Sequence, residues 1–215
     1  MFVLGIDPGL SRCGYGCVEQ VAGRQRAVAA GVVTTDRALP LPDRLATLRR
    51  DLRELVEEHA PDVVVVERVF FQTNVRTAMS VGQASGVALL TAAEAGCEVA
   101  EYSSNEVKLA VTGYGAATKK QVQRMVATLL ALGEVPRPPD AADALALALC
   151  HLAASRTSRR LPAGEGRGHP TVGAGALSRA AAQVVAAQVA TQVVAAQVVA
   201  AQAATQVVAG TRGAR

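Results

Sequence analysis

The alternation of apolar and polar positions near the start of the chain predicts three strands and a helix. An apolar run at 2–7 ends in a tight Asp-Pro-Gly turn and predicts a first strand. The segments 14–20 and 26–35 predict two further strands of an antiparallel meander. Residues 40–60 repeat leucine and valine at helical spacing with charges between them, which predicts an amphipathic helix.

The pattern that follows favours strands alternating with helices. Four consecutive valines at 63–66 are typical of a strand covered on both faces. The remaining elements are, in order, a helix rich in alanine and glycine, a strand and three more helices, predicted at about 74–95, 97–102, 104–111, 118–132 and 139–154. This order predicts an α/β fold in which a mixed sheet is flanked by helices.

The pattern breaks down after residue 155, which predicts a domain at 1–155 followed by two segments of biased composition. Residues 156–179 are rich in glycine, proline and arginine, as linkers are. Residues 180–215 consist almost entirely of alanine, valine, glutamine and threonine. On a helix their glutamines would wind around the axis and leave no persistent apolar face. We predict a disordered or loosely helical tail and assign it no function.

Composition and charge narrow the class of protein only slightly. Half of the 215 residues are hydrophobic, which is ample for a packed core and excludes global disorder. The formal net charge is +4, but residues 1–160 hold 18 basic and 17 acidic side chains, whereas residues 161–215 hold 4 and 1. Most of the excess charge therefore lies in the tail, and basicity alone does not indicate nucleic-acid binding.

The cysteines and the start of the chain point to a reducing compartment. Cys13 and Cys17 have the only close spacing among four cysteines, and without a second pair this is a weak zinc signal, so we predict buried thiols. The first residues reach Asp7 without the basic and apolar regions of a secretory signal. We therefore expect a cytoplasmic protein that is not associated with a membrane.

Four carboxylates occupy positions where acids are expensive unless they have a function. Asp7 and Glu67 end predicted strands, and Asp140 and Asp143 open the last helix on one face. Taken singly, they have simpler explanations. Asp7 can form a turn, Glu67 can be a charge on an edge strand, and Asp140 can be an acid at a helix N-terminus. Together they should repel one another unless cations lie among them. All-carboxylate ligation suits Mg²⁺ or Mn²⁺, and two such ions form a clamp used in phosphodiester hydrolysis.

Five blocks of this chain resemble the RuvC family of Holliday junction resolvases in order and spacing: GIDPGLSRCGYG, VVVVERVFFQTN, VGQASGVALL, NEVKLAVTGYGAATKKQVQ and DAADALALA, together covering about 1–154. The resemblance implies an RNase H-like fold and a homodimer in which each active site nicks one of two opposed strands of a four-way DNA junction. It implies two Mg²⁺ ions per site, with Mn²⁺ as a substitute, and roles in DNA recombination and repair. It also implies a branch-migration motor of the RuvA and RuvB type as a partner. The family's acidic tetrad corresponds to Asp7, Glu67, Asp140 and Asp143.

The same resemblance assigns DNA contacts to one aromatic and several basic residues. Phe70 matches the family's aromatic that stacks on or wedges a junction base, and a core position is its alternative. Lys108 and Lys119 match lysines near the scissile phosphate, where a cation would stabilise developing charge, although single lysines are usually solvated. Arg76 and Lys120 are lesser candidates for phosphate contacts.

Three other functions remain open on sequence grounds. An ATP-dependent phosphotransferase of the actin and sugar-kinase type shares the predicted start of the fold, but it needs a second domain. A non-catalytic DNA-binding module would not require all four acids. A related nuclease acting on RNA–DNA hybrid would share the acids but not the DNA-contact matches. If metal neutralises the four acids, the charge of residues 1–160 changes from +1 to +5, so junction affinity should rise with Mg²⁺ or Ca²⁺ and fall with salt.

Overall fold

The computed structural model describes residues 1–68 and 75–160, with backbone alone for Arg76 and for 157–160. Five strands and five helices follow one another as β1 (Phe2–Asp7), β2 (Arg12–Val21), β3 (Arg24–Thr34), α1 (Leu41–His59), β4 (Val63–Glu67), α2 (Val75–Glu94), β5 (Glu98–Tyr102), α3 (Ser104–Thr112), α4 (Lys119–Leu129) and α5 (Pro139–Arg160). All ten predicted elements are confirmed. Two ends differ: α4 stops earlier, where Ala131 turns into the left-handed region, and α5 continues to Arg160.

The strands form one mixed sheet in the order β3-β2-β1-β4-β5. The first three strands are an antiparallel meander, and β1, β4 and β5 run parallel to one another. Helices cover both faces, so the predicted α/β class is confirmed. The central position of β1 and β4 explains their continuous apolar sequence, because strands buried on both faces have no solvent side to leave polar.

The two faces of the sheet bury separate apolar clusters. Leu4, Ile6, Val64 and Val66 point to the face covered by α1 and α2. Val3, Val63 and Val65 point to the other face, which α3, α4 and α5 cover. Side chains alternate along a strand, so the carboxylates that end β1 and β4 continue the second set. Both are therefore directed to the face on which α5 lies.

Helix α5 packs unusually close to β1 and β2 because glycines line the contact. A Cβ atom built on Gly5 would overlap the carbonyl oxygen of Ala144, and one built on Gly14 would overlap that of Asp140. At Gly16 a Cβ atom would lie 2.8 Å from the backbone nitrogen of Leu145. The absence of side chains here lets the helix rest on the sheet backbone, and this fixes the height of its acidic residues above the strands.

The far end of α5 is held to the β2–β3 hairpin. Arg156 Nη2 donates to the carbonyl oxygen of Gly23 at 2.7 Å, next to the hairpin turn. The predicted linker begins inside this helix, and residues 161–215, including the tail, lie outside the described residues. Among the helices described, none combines the length and the apolar run needed to cross a bilayer.

Three of the four cysteines are buried thiols, as predicted. Cys13 and Cys17 lie in the cluster under α1 and α2, and Cys150 lies in the cluster on the α5 face. Burial raises the pKa of Cys13 and of Cys17 to about 12. These thiols stay protonated and serve as packing.

Candidate active site

Three of the predicted acids meet in one cavity at the carboxyl ends of the parallel strands. Asp7 ends β1 and Glu67 ends β4, and the register that pairs Ile6 with Val66 makes them neighbours. Asp143 faces them from the first turns of α5. The cavity has a volume of about 290 Å³ and is lined by Asp7, Glu67, Ser104, Val107, Lys108, Lys119, Val122, Asp143, Ala146 and Leu147. The predicted convergence therefore holds for Asp7, Glu67 and Asp143.

Burial, together with neighbouring carboxylates, raises the pKa values of the two acids that end β1 and β4. Burial, followed by the charges of Glu67 and Asp143, raises the pKa of Asp7 to about 7. Burial also raises the pKa of Glu67, although a hydrogen bond with Asp7 opposes the rise. In the metal-free protein near neutral pH these two side chains share a proton, because two adjacent buried carboxylates cannot easily both be charged.

Asp143 is paired with a lysine across the cavity. Lys119 Nζ, at the first residue of α4, lies 2.5 Å from Asp143 Oδ2. Burial raises the pKa of Asp143, and hydrogen bonds from Lys119 and Gln123 only partly offset this. Burial lowers the pKa of Lys119, but its ion pair with Asp143 outweighs burial and leaves the pKa raised. A capping box between Thr118 and Gln121 fixes the start of α4 and therefore the origin of this lysine.

Asp140 lies beside the cavity and does not line it. Its Oδ2 accepts hydrogen bonds from both Arg12 Nε at 3.1 Å and Arg12 Nη2 at 2.7 Å. Asp140 is in the first turn of α5, where an acid also interacts favourably with the helix dipole. The structure thus places the fourth predicted acid next to the other three but commits it to an arginine.

The predicted DNA contacts lie at different places relative to the cavity. Lys108 on α3 and Lys119 on α4 both line it. Lys120 is exposed at the start of α4 and is not among the residues that line the cavity. Arg76 lies in α2, and its side chain is not described. Phe70 falls outside the described residues.

The residues present fit a divalent cation, although their carboxylates are not arranged as a complete set of metal ligands. Within the described ranges, no three His, Cys, Asp or Glu side chains stand as a ready set of metal ligands. Two of the four acids are held in ion pairs, Asp143 with Lys119 and Asp140 with Arg12. The donors are all carboxylate oxygens, as Mg²⁺ prefers. Burial and neighbouring carboxylates raise the pKa values of Asp7 and Glu67 although Lys108 and Lys119 line the same cavity, so a bound divalent cation would favour the charged carboxylates.

Sequence reasoning missed Arg12 and Gln123 among the residues that hold the acids. Gln123 lies one helical turn after Lys119 on α4, so the family lysine could have indicated it. Arg12 follows the Asp-Pro-Gly turn, and the pairing of Asp7 with Gly14 places it near the end of β1. Its pairing with Asp140 depends on how α5 crosses the sheet, which the sequence pattern does not show.

We expect the Asp7→Asn substitution to stabilise the metal-free protein at alkaline pH. A folded-state pKa raised from 3.8 to about 7 means that the folded state binds the proton more tightly than the unfolded chain. Stability is therefore lost as pH rises from about 4 to 7, and the amide removes this loss. In EDTA at pH 8 the free energy of unfolding of the variant should exceed that of the wild type by on the order of 4 kcal/mol. Chemical denaturation at pH 8 and at pH 3.5 measures the difference.

The exposed Glu134 offers a matched control for that measurement. Glu134→Gln removes one negative charge in solvent and should change stability little at either pH. A gain for Asp7→Asn that is the same at pH 3.5 as at pH 8 would contradict the predicted linkage.

Comparison with known proteins identifies the family. The family model described as crossover junction endodeoxyribonuclease RuvC matches residues 3–151. The protein of that name from Salinispora arenicola is 57% identical over 168 residues, covering 78% of this chain and 96% of the relative. The one from Streptomyces griseus is 53% identical over 162 residues, covering 75% of this chain and 79% of the relative.

Solved structures agree with the sequence comparison. The Thermus thermophilus RuvC structure superposes with a TM-score of 0.68 at 38% identity, covering 74% of this chain and 97% of that one. T. thermophilus RuvC in complex with a Holliday junction substrate gives a TM-score of 0.66 at 36% identity, covering 73% and 96%. The expected RNase H-like class is therefore confirmed. With most of its described domain matched by sequence and by fold, the chain belongs to the RuvC family of crossover junction endodeoxyribonucleases.

Proposed function

We propose that this protein is a Mg²⁺-dependent endonuclease that resolves four-way DNA junctions by paired symmetric nicks during recombination and repair. The observation that carries this proposal is the cavity in which Asp7, Glu67 and Asp143 meet Lys108 and Lys119. Family membership supports the substrate, since a relative was solved with a Holliday junction. An acidic centre flanked by lysines suits a phosphodiester, whose charge needs both metal ligands and cationic neighbours.

Each group in the cavity has a part in the proposed chemistry. Asp7, Glu67 and Asp143, joined by Asp140, would hold two Mg²⁺ ions, with Mn²⁺ as a substitute. Bound divalent ions supply activation of the attacking water and stabilisation of the leaving 3′ oxygen. Lys119, which pairs with Asp143 in the metal-free protein, and Lys108 would stabilise the negative charge that develops on the scissile phosphate.

DNA contacts beyond the cavity are also part of the proposal. Phe70 would stack on a base at the junction, where one aromatic contact contributes about 1–3 kcal/mol. Arg76 is six positions after Phe70 and is the second residue of α2. Lys120 is the second residue of α4. Both would bind backbone phosphates outside the cavity.

Cleavage of a synthetic junction tests the function directly. Each of four strands is labelled in turn, and the protein is added with Mg²⁺ or with EDTA. Nicks at symmetry-related positions on two opposed strands, dependent on Mg²⁺, are expected. A linear duplex and an RNA–DNA hybrid of the same sequence serve as controls. Preferential cutting of the hybrid would replace the proposed substrate, and binding without any cutting would favour a non-catalytic module.

We also propose that two copies associate through α2. One side of this helix leaves Val75, Met79 and Leu90 exposed by 69%, 61% and 52% of their surface. Gly82 and Gly86 lie on the same side, and a Cβ atom at either would contact nothing within 4 Å. This apolar stripe, with small residues at its centre, is suited to close packing against a symmetric copy. A dimer would present two cavities to opposed strands.

A charge placed in the stripe is expected to separate the copies. Leu90→Asp would bury a carboxylate in the proposed interface, so the variant should sediment as a monomer at concentrations where the wild type is a dimer. Val28→Asp, at an exposed valine of β3, is the control and should leave the dimer intact. Sedimentation equilibrium measures both. A Leu90→Asp variant that stays dimeric would rule out this interface.

Family membership supports two further parts of the proposal. A branch-migration motor of the RuvA and RuvB type would deliver the junction to the dimer. The protein would act in the cytoplasm, where the bacterial chromosome is accessible.

A further inference from the structure

Arg12 forms an ion pair with Asp140, the fourth predicted acid. The residues that line the cavity do not explain the role of this arginine. Its guanidinium donates through Nε and Nη2 to the same oxygen of Asp140. The side chain is 48% exposed, whereas that of Asp140 is 27% exposed. The pair thus sits at the rim of the cavity, where one partner can reach solvent or a bound molecule and the other can reach the cavity.

Hydrogen bonds hold the turn that precedes Arg12, the first residue of β2. Arg44 donates through Nη2 to Ser11 Oγ at 2.7 Å and through Nε to Thr35 Oγ1 at 3.0 Å. Thr35 Oγ1 in turn donates to the carbonyl oxygen of Leu10 at 2.5 Å. Leu10 and Ser11, the two residues before β2 begins, are therefore anchored to α1 and to the residue that follows β3. The Arg12 side chain must move by its own rotamers if it is to leave Asp140.

The position of Asp140 is held just as firmly. Its backbone lies against Gly14 of β2, where the absence of a side chain permits the contact. With both backbones held, the Asp140 carboxylate and the Arg12 guanidinium can separate only by rotation of their own side chains. Oδ2 of Asp140 accepts two charge-assisted hydrogen bonds, so this oxygen has little capacity left for a metal ion while Arg12 holds it.

We propose that Arg12 is a positioning residue that competes with metal for Asp140, an inference that rests on the proposed function of the cavity. In the metal-free protein the guanidinium holds the carboxylate at the rim. Metal binding in the cavity draws Asp140 away and releases Arg12. The freed guanidinium, about half exposed to solvent, is then available to a backbone phosphate, which is a suitable bidentate partner.

Linkage makes the competition reciprocal. If metal releases Arg12 for a phosphate, then a phosphate that binds Arg12 releases Asp140 for the metal by the same factor. Metal and junction therefore strengthen each other's binding through this one side chain. The effect adds to the general gain from neutralising the acids, and it requires no movement of the backbone.

Binding of Mn²⁺ to the DNA-free protein tests the competition, with free Mn²⁺ quantified by its electron paramagnetic resonance signal. We expect Arg12→Gln to bind Mn²⁺ about fivefold more tightly than the wild type, which corresponds to roughly 1 kcal/mol for a half-exposed ion pair. Arg12→Lys keeps the charge but loses the two-pronged contact and should lie between them. Arg26→Gln breaks an exposed ion pair with Glu19 elsewhere on the sheet, removes the same charge, and should leave the affinity close to that of the wild type.

The reverse result separates competition from a merely structural role. If Arg12 holds Asp140 in place as a future ligand, Arg12→Gln should bind Mn²⁺ more weakly, and equal or weaker binding overturns the inference. If the wild type still cleaves junctions with Mg²⁺ in the cleavage assay described above, the proposed function remains intact. A wild type that neither binds Mn²⁺ nor cleaves would overturn both.

A second readout follows the DNA side of the coupling. Junction affinity is measured by fluorescence anisotropy with and without Ca²⁺, for the wild type and for Arg12→Gln. The gain in affinity on adding Ca²⁺ should be smaller for the variant, because it has no guanidinium to release. An equal gain in the two proteins would overturn the proposed coupling.

Discussion

Asp7→Asn is expected to lower Mg²⁺-dependent cleavage of a four-way junction by about 10³-fold or more while leaving junction binding in place. Asp7 shares the cavity with Glu67 and Asp143 and interacts with the charges of both, so an amide there removes a carboxylate of the proposed metal site. A bound divalent ion contributes several kcal/mol to stabilisation of the transition state, and about 4 kcal/mol corresponds to the stated loss. Binding should persist because the substitution removes a charge that repels DNA.

Single-turnover cleavage and anisotropy, performed on the same preparation, measure the two effects. Asp62→Asn is a useful control. Asp62 lies directly before β4, at the opposite end of that strand from Glu67, and accepts a hydrogen bond from the Phe2 backbone nitrogen at 2.7 Å. It should cleave at a rate close to that of the wild type. Cleavage by Asp7→Asn at more than a tenth of the wild-type rate would contradict the assignment of the cavity as the active site.

Gly5→Ala is expected to destabilise the fold by about 3 kcal/mol or more, the upper range for overpacking a core. The new Cβ atom would overlap the carbonyl oxygen of Ala144, and neither backbone can move without shifting α5 or β1. For a domain of this size the melting temperature should fall by roughly 10 °C. Gly14→Ala acts at the Asp140 contact and should in addition lower cleavage, because it displaces the helix turn that carries the acids.

Gly133→Ala is the matched control for these substitutions. A Cβ atom at Gly133 meets nothing within 4 Å, so its effect should stay within about 0.5 kcal/mol. Calorimetry of the three variants measures the contrast. Equal stability of Gly5→Ala and Gly133→Ala would mean that α5 is not held against the sheet as described.

The sequence pattern predicted the elements and three members of the cavity because both follow from local rules. Periodicity of two or 3.6 residues located the strands and helices, and the last residue of a buried strand identified Asp7 and Glu67. Asp143 interrupts an apolar helix, so it too was visible. The glycines of β1 and β2 permit the contact of α5 with the sheet. A glycine in a strand can also mark a bulge or a bend, so the sequence alone does not show which element approaches it.

Pairing between side chains was beyond the sequence for a physical reason. Arg12 and Asp140 are 128 positions apart, and Lys119 and Asp143 meet across two helices. Such pairs depend on helix positions to within an ångström or two. The pattern of apolar residues fixes which face is buried, but not that final placement.

The two anchored ends of α5 also decide where the rest of the chain departs. Seventeen residues separate Asp143 from Arg160, which is about 25 Å along a helix. Arg156 fastens that distant end to the β2–β3 hairpin. An affinity tag, a fluorophore or a surface tether attached to the C-terminal segment is therefore joined to the enzyme about 25 Å from its acids. Single-molecule observation of junction resolution can use an attachment at this end of α5, which lies well away from the acids.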